Sequence, residues 1–171
     1  MPMTHEGFRE AGRRISALDS AEPLDLAGLN LNDEDLLALQ VALGNLTALT
    51  TLDLGGNQLT AVPEALGNLT ALTVLYLGGN QLTVVPEALG NLTALTVLYL
   101  GGNQLTAVPD TLGNLTVLYL GYNRLTMLPK GLGRLAALRI LTVEANPLPP
   151  EVEAAAAEGT DELLRFEPPR S

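Results

Sequence analysis

The twelve residues LTVLYLGGNQLT occur twice without change, at 72–83 and at 95–106. They belong to a longer unit that recurs five times, over residues 43–65, 66–88, 89–111, 112–131 and 132–152. Besides the asparagine of the NLT triplet in the first four units, each unit carries one asparagine at an equivalent position, and these are spaced 23, 23, 20 and 23 residues apart: Asn57, Asn80, Asn103, Asn123 and Asn146. Self-similarity at this period predicts a stack of equivalent units, each of which buries its apolar face against its neighbours.

Each unit contains a short segment in which buried and exposed positions alternate, as side chains do along a β-strand. In the second unit we therefore expect Leu75 and Leu77 to face the core and Tyr76 to face outward. The asparagine turns the chain out of the strand, and its amide can bond to the backbone of the neighbouring unit. Prolines on the returning half of each unit disfavour a long regular helix there: Pro63, Pro86, Pro109 and Pro129.

The units match the pattern L-x-x-L-x-L-x-x-N-x-L over roughly residues 24–148, with Val143 replacing one leucine in the fifth. In this pattern the chain resembles the leucine-rich repeat family. The resemblance implies an α/β solenoid, a short horseshoe or right-handed superhelix, with a parallel β-sheet on its concave face and helical caps. It also implies a non-enzymatic module that binds a protein or peptide through the concave face.

The fourth unit, residues 112–131, is three residues shorter than the units before it. When it is aligned on Asn123, its strand leucines stay in place and the gap falls on the returning side. We therefore predict the loss of one turn there and a local change of curvature.

The whole chain, residues 1–171, is predicted to be one domain whose open ends need caps. Residues 5–42 are expected to form the N-terminal cap and a degenerate repeat, with a strand in 24–31 and a helix starting at Asn32. Residues 43–148 hold the five repeats. An amphipathic first helix is indicated by apolar residues at helical spacing: Phe8, Ala11, Ile15 and Leu18.

Residues 149–166 are expected to form the C-terminal cap, and residues 167–171 a frayed tail. The cap is predicted as a helix ended by Gly159, then a short turn opened by Thr160, with Leu163, Leu164 and Phe166 covering the last repeat. This ending resembles the segment that closes the leucine-rich domain of bacterial Roco proteins, ahead of their Ras-like GTPase domain. That resemblance implies an alternative function, as a regulatory or scaffold component of a Roco-like GTPase signalling system.

The charge of the chain argues against nucleic-acid binding and against docking on an anionic membrane. Nineteen acidic and nine basic residues give a formal net charge of −10, and no lysine or arginine occurs between Arg14 and Arg124. Phosphate recognition depends on cationic side chains, which this long segment lacks. The absence of a signal sequence, of a membrane-spanning run and of cysteine favours a cytoplasmic protein.

The sequence offers no catalytic residues, no metal site and no cofactor site. Its single histidine is His5, and none of its three serines lies in a G-x-S-x-G motif. The acidic residues after Asn32 lack the alternating ligands and the glycine of a calcium loop. The GLGRLA segment at 131–136 fits a dinucleotide fingerprint, but the phase of the repeat explains its glycines.

The outward positions of the repeats define the predicted binding face. Tyrosines follow one another at the middle of three strands, with a row of valines two residues earlier and pairs of glycines after them. The predicted site residues are Tyr76, Tyr99, Tyr119, Tyr122, Val74, Val97, Val117, Arg124 and Arg139. An aromatic and aliphatic patch of this kind often marks an interaction site, and the glycines would let a partner approach the backbone.

The expected partner is a protein or peptide with an apolar stretch flanked by acidic residues, spanning repeats two to five. Arg124 and Arg139 would attract the acids at one end, and Asp25 and Asp53 would repel them at the other. Two other interpretations stay open: the tyrosines are a copied scaffold feature, or the protein is structural or self-associating. We expect a monomer.

Overall fold

The computed structural model describes residues 5–19 and 22–165, apart from the side chains of residues 130 and 133. Six parallel strands form one sheet in chain order, each beside the strand of the preceding repeat. The strands are β1 Leu24–Asp25, β2 Thr51–Asp53, β3 Val74–Tyr76, β4 Val97–Tyr99, β5 Val117–Tyr119 and β6 Ile140–Thr142. The helices are α1 Glu6–Ala17, α2 Asp33–Gly44, α3 Pro150–Glu158 and α4 Thr160–Arg165. The predicted α/β repeat architecture is confirmed.

The sheet register brings equivalent residues of successive repeats side by side. Tyr76 pairs with Tyr99, and Tyr99 pairs with Tyr119, as the period of the sequence requires. The strand leucines face the core, and Leu75 and Leu77 are both fully buried. Because no single repeat can enclose these leucines, the core exists only through stacking.

The asparagine that follows the strand of each repeat is buried and bonds the backbone of two repeats. Asn103 accepts a hydrogen bond from the Leu82 N–H (3.0 Å) and donates to the carbonyls of Leu77 (3.0 Å) and Leu100 (2.9 Å). The four other asparagines make the same set of bonds, so the side chains form a continuous ladder: Asn57, Asn80, Asn123 and Asn146. The predicted structural role of the asparagine is confirmed.

The returning side of the repeats contains short 3₁₀-helices that follow a proline: Glu64–Asn68, Glu87–Asn91 and Lys130–Arg134. No such helix forms between Pro109 and Leu115, so the fourth unit has lost the turn, as predicted. The Asp110 carboxylate instead accepts a hydrogen bond from the Gly131 N–H of the next repeat (2.9 Å). The effect on curvature stays a prediction.

The N-terminal cap contains the two predicted helices. The Asn32 side chain accepts from the Asp35 N–H (3.0 Å), and the Asp35 carboxylate accepts from the Asn32 N–H (2.9 Å), which completes a capping box on α2. His5 caps α1 by accepting from the Phe8 N–H, and its Nε2 lies 2.8 Å from the buried Asp35 carboxylate. His5, to which the sequence pattern assigned no role, therefore ties α1 to α2.

The C-terminal cap differs from the prediction in one detail. Gly159 ends α3 with a φ of 119°, as expected, but the residues from Thr160 form a six-residue helix, α4, where a short turn was predicted. The acidic first turn and basic last turn of α4 suit the helix dipole. Leu163 is buried and Leu164 packs against the core. Phe166 lies outside the described residues.

Candidate functional site

Three tyrosines of consecutive repeats stack on the outward side of the sheet. The ring centroids of Tyr76 and Tyr99 are 4.6 Å apart with planes inclined by 26°, and those of Tyr99 and Tyr119 are 4.2 Å apart and inclined by 13°. A row of half-buried valines runs beside them in the same register. We call this surface the tyrosine face; it consists of Val74, Val97, Val117, Tyr76, Tyr99 and Tyr119.

The spacing of the strands explains the stacking. Parallel strands lie about 4.7–4.9 Å apart, which is close to the separation that flat aromatic rings prefer. Partial burial raises the pKa of the middle phenol, that of Tyr99, and the neighbouring Tyr119 and Tyr76 raise it further. The Tyr99 phenol is therefore neutral at physiological pH, and the stacked rings present an apolar body and a line of hydroxyl groups.

The raised pKa predicts a loss of stability in alkaline solution. An acid whose pKa is raised on folding stabilises the folded state below its unfolded pKa of about 10, and this contribution disappears as the pH rises through the folded pKa. Ultraviolet titration of the phenolate should therefore show one tyrosine ionising later in the folded chain than in urea. The Tyr99→Phe variant should lack this late step; if it keeps the step, the raised pKa belongs to another tyrosine.

The glycines that follow the tyrosines have structural reasons of their own. A Cβ on Gly78 would lie 3.1 Å from the Gly101 carbonyl, and Gly79 has a φ of +66°, which disfavours other residues. At the position equivalent to Gly79, Tyr122 has a φ of 58°. Tyr122 is 66% exposed, and no ring stacking joins it to the other tyrosines in the part of the chain that the structure describes. It therefore lies beside the tyrosine face and not within it.

Two arginines were predicted to lie at the edge of the tyrosine face. Arg124 follows the buried Asn123, Arg139 precedes β6, and both side chains are exposed. Neither arginine forms an ion pair with any other described residue. Glu144, which no sequence pattern singled out, places its carboxylate over Gly121, where an added Cβ would collide with it. Acidic groups therefore lie at both ends of the sheet, since Asp25 and Asp53 occupy the tyrosine position in β1 and β2.

A second concave feature, which the sequence analysis missed, lies at the last strand. A cavity of about 370 Å³ opens between β6, the following loop and α3; its lining includes Thr142, Glu144, Leu148, Glu153 and Ala156. The one feature of the sequence that could have indicated this cavity is that no further repeat follows β6 to cover that strand. Within the described ranges no group of three or more His, Asp or Glu side chains could hold a metal ion, and no helix is long and apolar enough to cross a membrane.

Comparisons with known proteins agree with this architecture. Residues 25–82 and 47–105 match a family model described as leucine rich repeat, and residues 114–135 match a second model of that description. No curated protein sequence matches the chain. The leucine-rich repeat protein LIC12759 of Leptospira interrogans is 33% identical with a TM-score of 0.63, and the match covers 74% of this chain and 32% of that protein.

Two further solved structures are similar. The PEPR1–AtPEP1 crystal structure is 38% identical with a TM-score of 0.56, covering 63% of this chain and 16% of that one. The internalin inlF of Listeria monocytogenes is 30% identical with a TM-score of 0.57, covering 64% of this chain and 32% of that one. This chain spans about a third or less of the length of each matched protein. With the repeat models matched along most of the solenoid and the asparagine ladder in place, the chain belongs to the leucine-rich repeat family.

Proposed function

We propose that this chain is a non-enzymatic module that binds a protein or peptide through the tyrosine face. The observation that carries the proposal is the stack of Tyr76, Tyr99 and Tyr119 beside a row of valines on a solvent-facing sheet surface. Stacked rings give a large, rigid contact area at a low cost in side-chain entropy, and their hydroxyl groups can orient a partner. Nothing in the core requires aromatic residues at these positions, because they project away from it.

The similar structures support the class of partner. The PEPR1–AtPEP1 structure, whose name joins two molecules, contains a chain that matches this one. Because the chain spans only part of each similar protein, the partner is inferred from the chemistry of the face. That chemistry favours an apolar segment in contact with the valines and tyrosines. The preference for flanking acids near Arg124 and Arg139 stays a prediction, which reversal of one charge by Arg139→Glu would test through the rate of association.

The first test is a selection of peptides on the wild-type chain, followed by affinity measurements on variants. The triple variant Tyr76→Ala, Tyr99→Ala, Tyr119→Ala should bind the selected peptides about 100-fold more weakly, because interface tyrosines are common hot spots. Its circular dichroism should stay unchanged. The chain has no tryptophan, and all four tyrosines lie on or beside the tyrosine face, so tyrosine fluorescence reports binding there directly.

A matched control lies on the returning side of the repeats. Glu64 and Glu87 begin 3₁₀-helices there. The double variant Glu64→Arg, Glu87→Arg reverses two charges on that side, whereas the triple tyrosine variant changes none. It should bind the selected peptides as the wild type does. Peptides that bind the triple tyrosine variant normally but lose affinity for the glutamate variant would place the binding surface on the returning side.

The two alternatives make different predictions. Self-association through the tyrosine face would appear as a dimer in light scattering that the triple tyrosine variant abolishes. A role beside a Roco-like GTPase rests only on the resemblance of the C-terminal cap segment. None of the similar proteins described above is named as a Roco protein. We therefore favour the binding module.

A further inference from the structure

We infer that the free edge of β6 is a second binding site, which takes an extended peptide as an additional parallel strand. The site is separate from the tyrosine face and goes beyond the function proposed above. Its ligand is a partner segment with an apolar residue followed by a basic one. Three features of the last repeat carry this inference: unpaired backbone donors, an open cavity and an acidic rim.

The backbone donors follow from the pattern of the solenoid. In each earlier repeat, two N–H groups after the strand donate to carbonyls of the next repeat; Leu120 donates to Thr142 (2.8 Å) and Tyr122 to Glu144 (2.8 Å). The equivalent donors after β6 are the N–H groups of Val143 and Ala145. Neither has a hydrogen-bond partner among the described residues. A peptide with carbonyl groups two residues apart would satisfy both, as each repeat does for the one before it.

The C-terminal cap covers only part of this edge. The Leu141 N–H donates to the Thr160 hydroxyl (3.1 Å), which in turn donates to the Leu141 carbonyl (3.5 Å). The cap therefore replaces the missing strand at Leu141 but not at Val143 and Ala145. The hydroxyl oxygen of Thr142, between the covered and uncovered parts, is buried and lacks a hydrogen-bond partner in the described chain.

The cavity shows which side chain the added strand would carry. In the repeats, the residue between the two accepting carbonyls is a leucine such as Leu100, which is fully buried between its neighbours. Beyond β6, this place is a cavity of about 370 Å³ whose apolar lining comes from Val143, Leu148 and Ala156. An apolar side chain of the peptide, of the size of leucine, would fill it.

The charge around the cavity selects the next residue of the peptide. Glu144 and Glu153 line the cavity, both are exposed, and neither forms an ion pair within the described ranges. A side chain at the second accepting residue would lie beside Glu144, as equivalent residues of adjacent parallel strands do. A lysine or arginine at that position would therefore pair with the acidic rim.

The experiment uses the full chain, labelled with ¹⁵N, and the synthetic peptide acetyl-Gly-Thr-Leu-Arg-Gly-amide. On titration, the amide signals of Val143 and Ala145 should shift and their hydrogen exchange should slow, because they gain acceptors. Replacing the leucine of the peptide by serine, or its arginine by glutamate, should weaken binding about tenfold or more. The triple tyrosine variant should bind the peptide as the wild type does, which separates this site from the proposed function.

Variants of the cavity provide the matched comparison on the protein side. Ala156→Leu fills the cavity and should weaken binding of the peptide about tenfold, whereas Ala154→Leu, on the same helix but outside the cavity lining, should leave it unchanged. Binding that Ala156→Leu leaves intact, or shifts centred on the tyrosines, would overturn the inference. So would amides of Val143 and Ala145 that are already protected without peptide, because another segment of this chain or a second copy would then occupy the edge.

Discussion

The double variant Asn80→Ala, Asn103→Ala is expected to lose more stability than the sum of its two single variants. In each single variant one buried N–H loses its only acceptor: that of Leu59 without Asn80, and that of Leu82 without Asn103. Each single change should cost about 2–3 kcal/mol, because an unsatisfied buried donor keeps its full desolvation penalty. The Leu77 carbonyl accepts from both asparagines, so only the double variant deprives it of both side-chain donors.

Urea unfolding of the single and double variants measures this coupling as a double-mutant cycle. A non-additive loss of about 1 kcal/mol or more is expected for Asn80 with Asn103, since contacting sites couple in this range. Asn57 and Asn123 share no acceptor, and their double variant should be additive.

Asn91 provides the surface control for the single changes. It is exposed, its side chain has no hydrogen-bond partner within the described residues, and Asn91→Ala should cost less than about 0.5 kcal/mol. Gln104→Ala, next to Asn103, should be similarly mild. Equal losses of stability from Asn103→Ala and Gln104→Ala would show that the ladder does not stabilise the fold.

The features that could be predicted from sequence are those that repeat. A side-chain alternation of two places Leu75 and Leu77 in the core and Tyr76 outside, and the spacing of the asparagines fixes the sheet register. The stack of three tyrosines follows from that register together with the distance between strands. Local patterns also indicated α1, α2 and α3, because their caps and apolar spacing lie within a few residues.

The remaining features depend on contacts that the sequence pattern does not encode. His5 meets Asp35 across 30 residues of chain, and neither residue has a repeated counterpart that would reveal the pair. The cavity beside β6 depends on how α3 and the preceding loop pack against the last repeat, which occurs once in the chain. The glycines after the tyrosines suggested that a partner could approach the backbone there. The positive φ of Gly79 and the carbonyl close to Gly78 instead give these glycines a structural reason.

Removal of residues 149–171 is the other change with a large expected effect. The described part of this segment, residues 149–165, contributes the buried apolar residues Val152, Ala155 and Leu163, and it covers the leucines of the last repeat. Burial of side chains of this kind contributes about 1–3 kcal/mol each, so the truncated chain should lose roughly 5 kcal/mol. Its loss also removes the Thr160 hydroxyl from the edge of β6, which leaves the edge open to pairing with another chain.

The truncated chain should therefore melt at a lower temperature and aggregate as its concentration rises. Hydrogen exchange should locate the damage: amides of β5 and β6 should exchange faster, while those of β2 and β3 should keep most of their protection, because repeats contact only their neighbours. Leu163→Asp in the full chain should reproduce the effect in part, since it places a charge at a site that is 2% exposed. Asp161→Ala, at an exposed position of the same helix, is the matched control and should lower the melting temperature far less, since it removes only one acidic residue from the first turn. A truncated protein that stays monomeric with unchanged melting would show that the segment is a linker and that the solenoid closes without it.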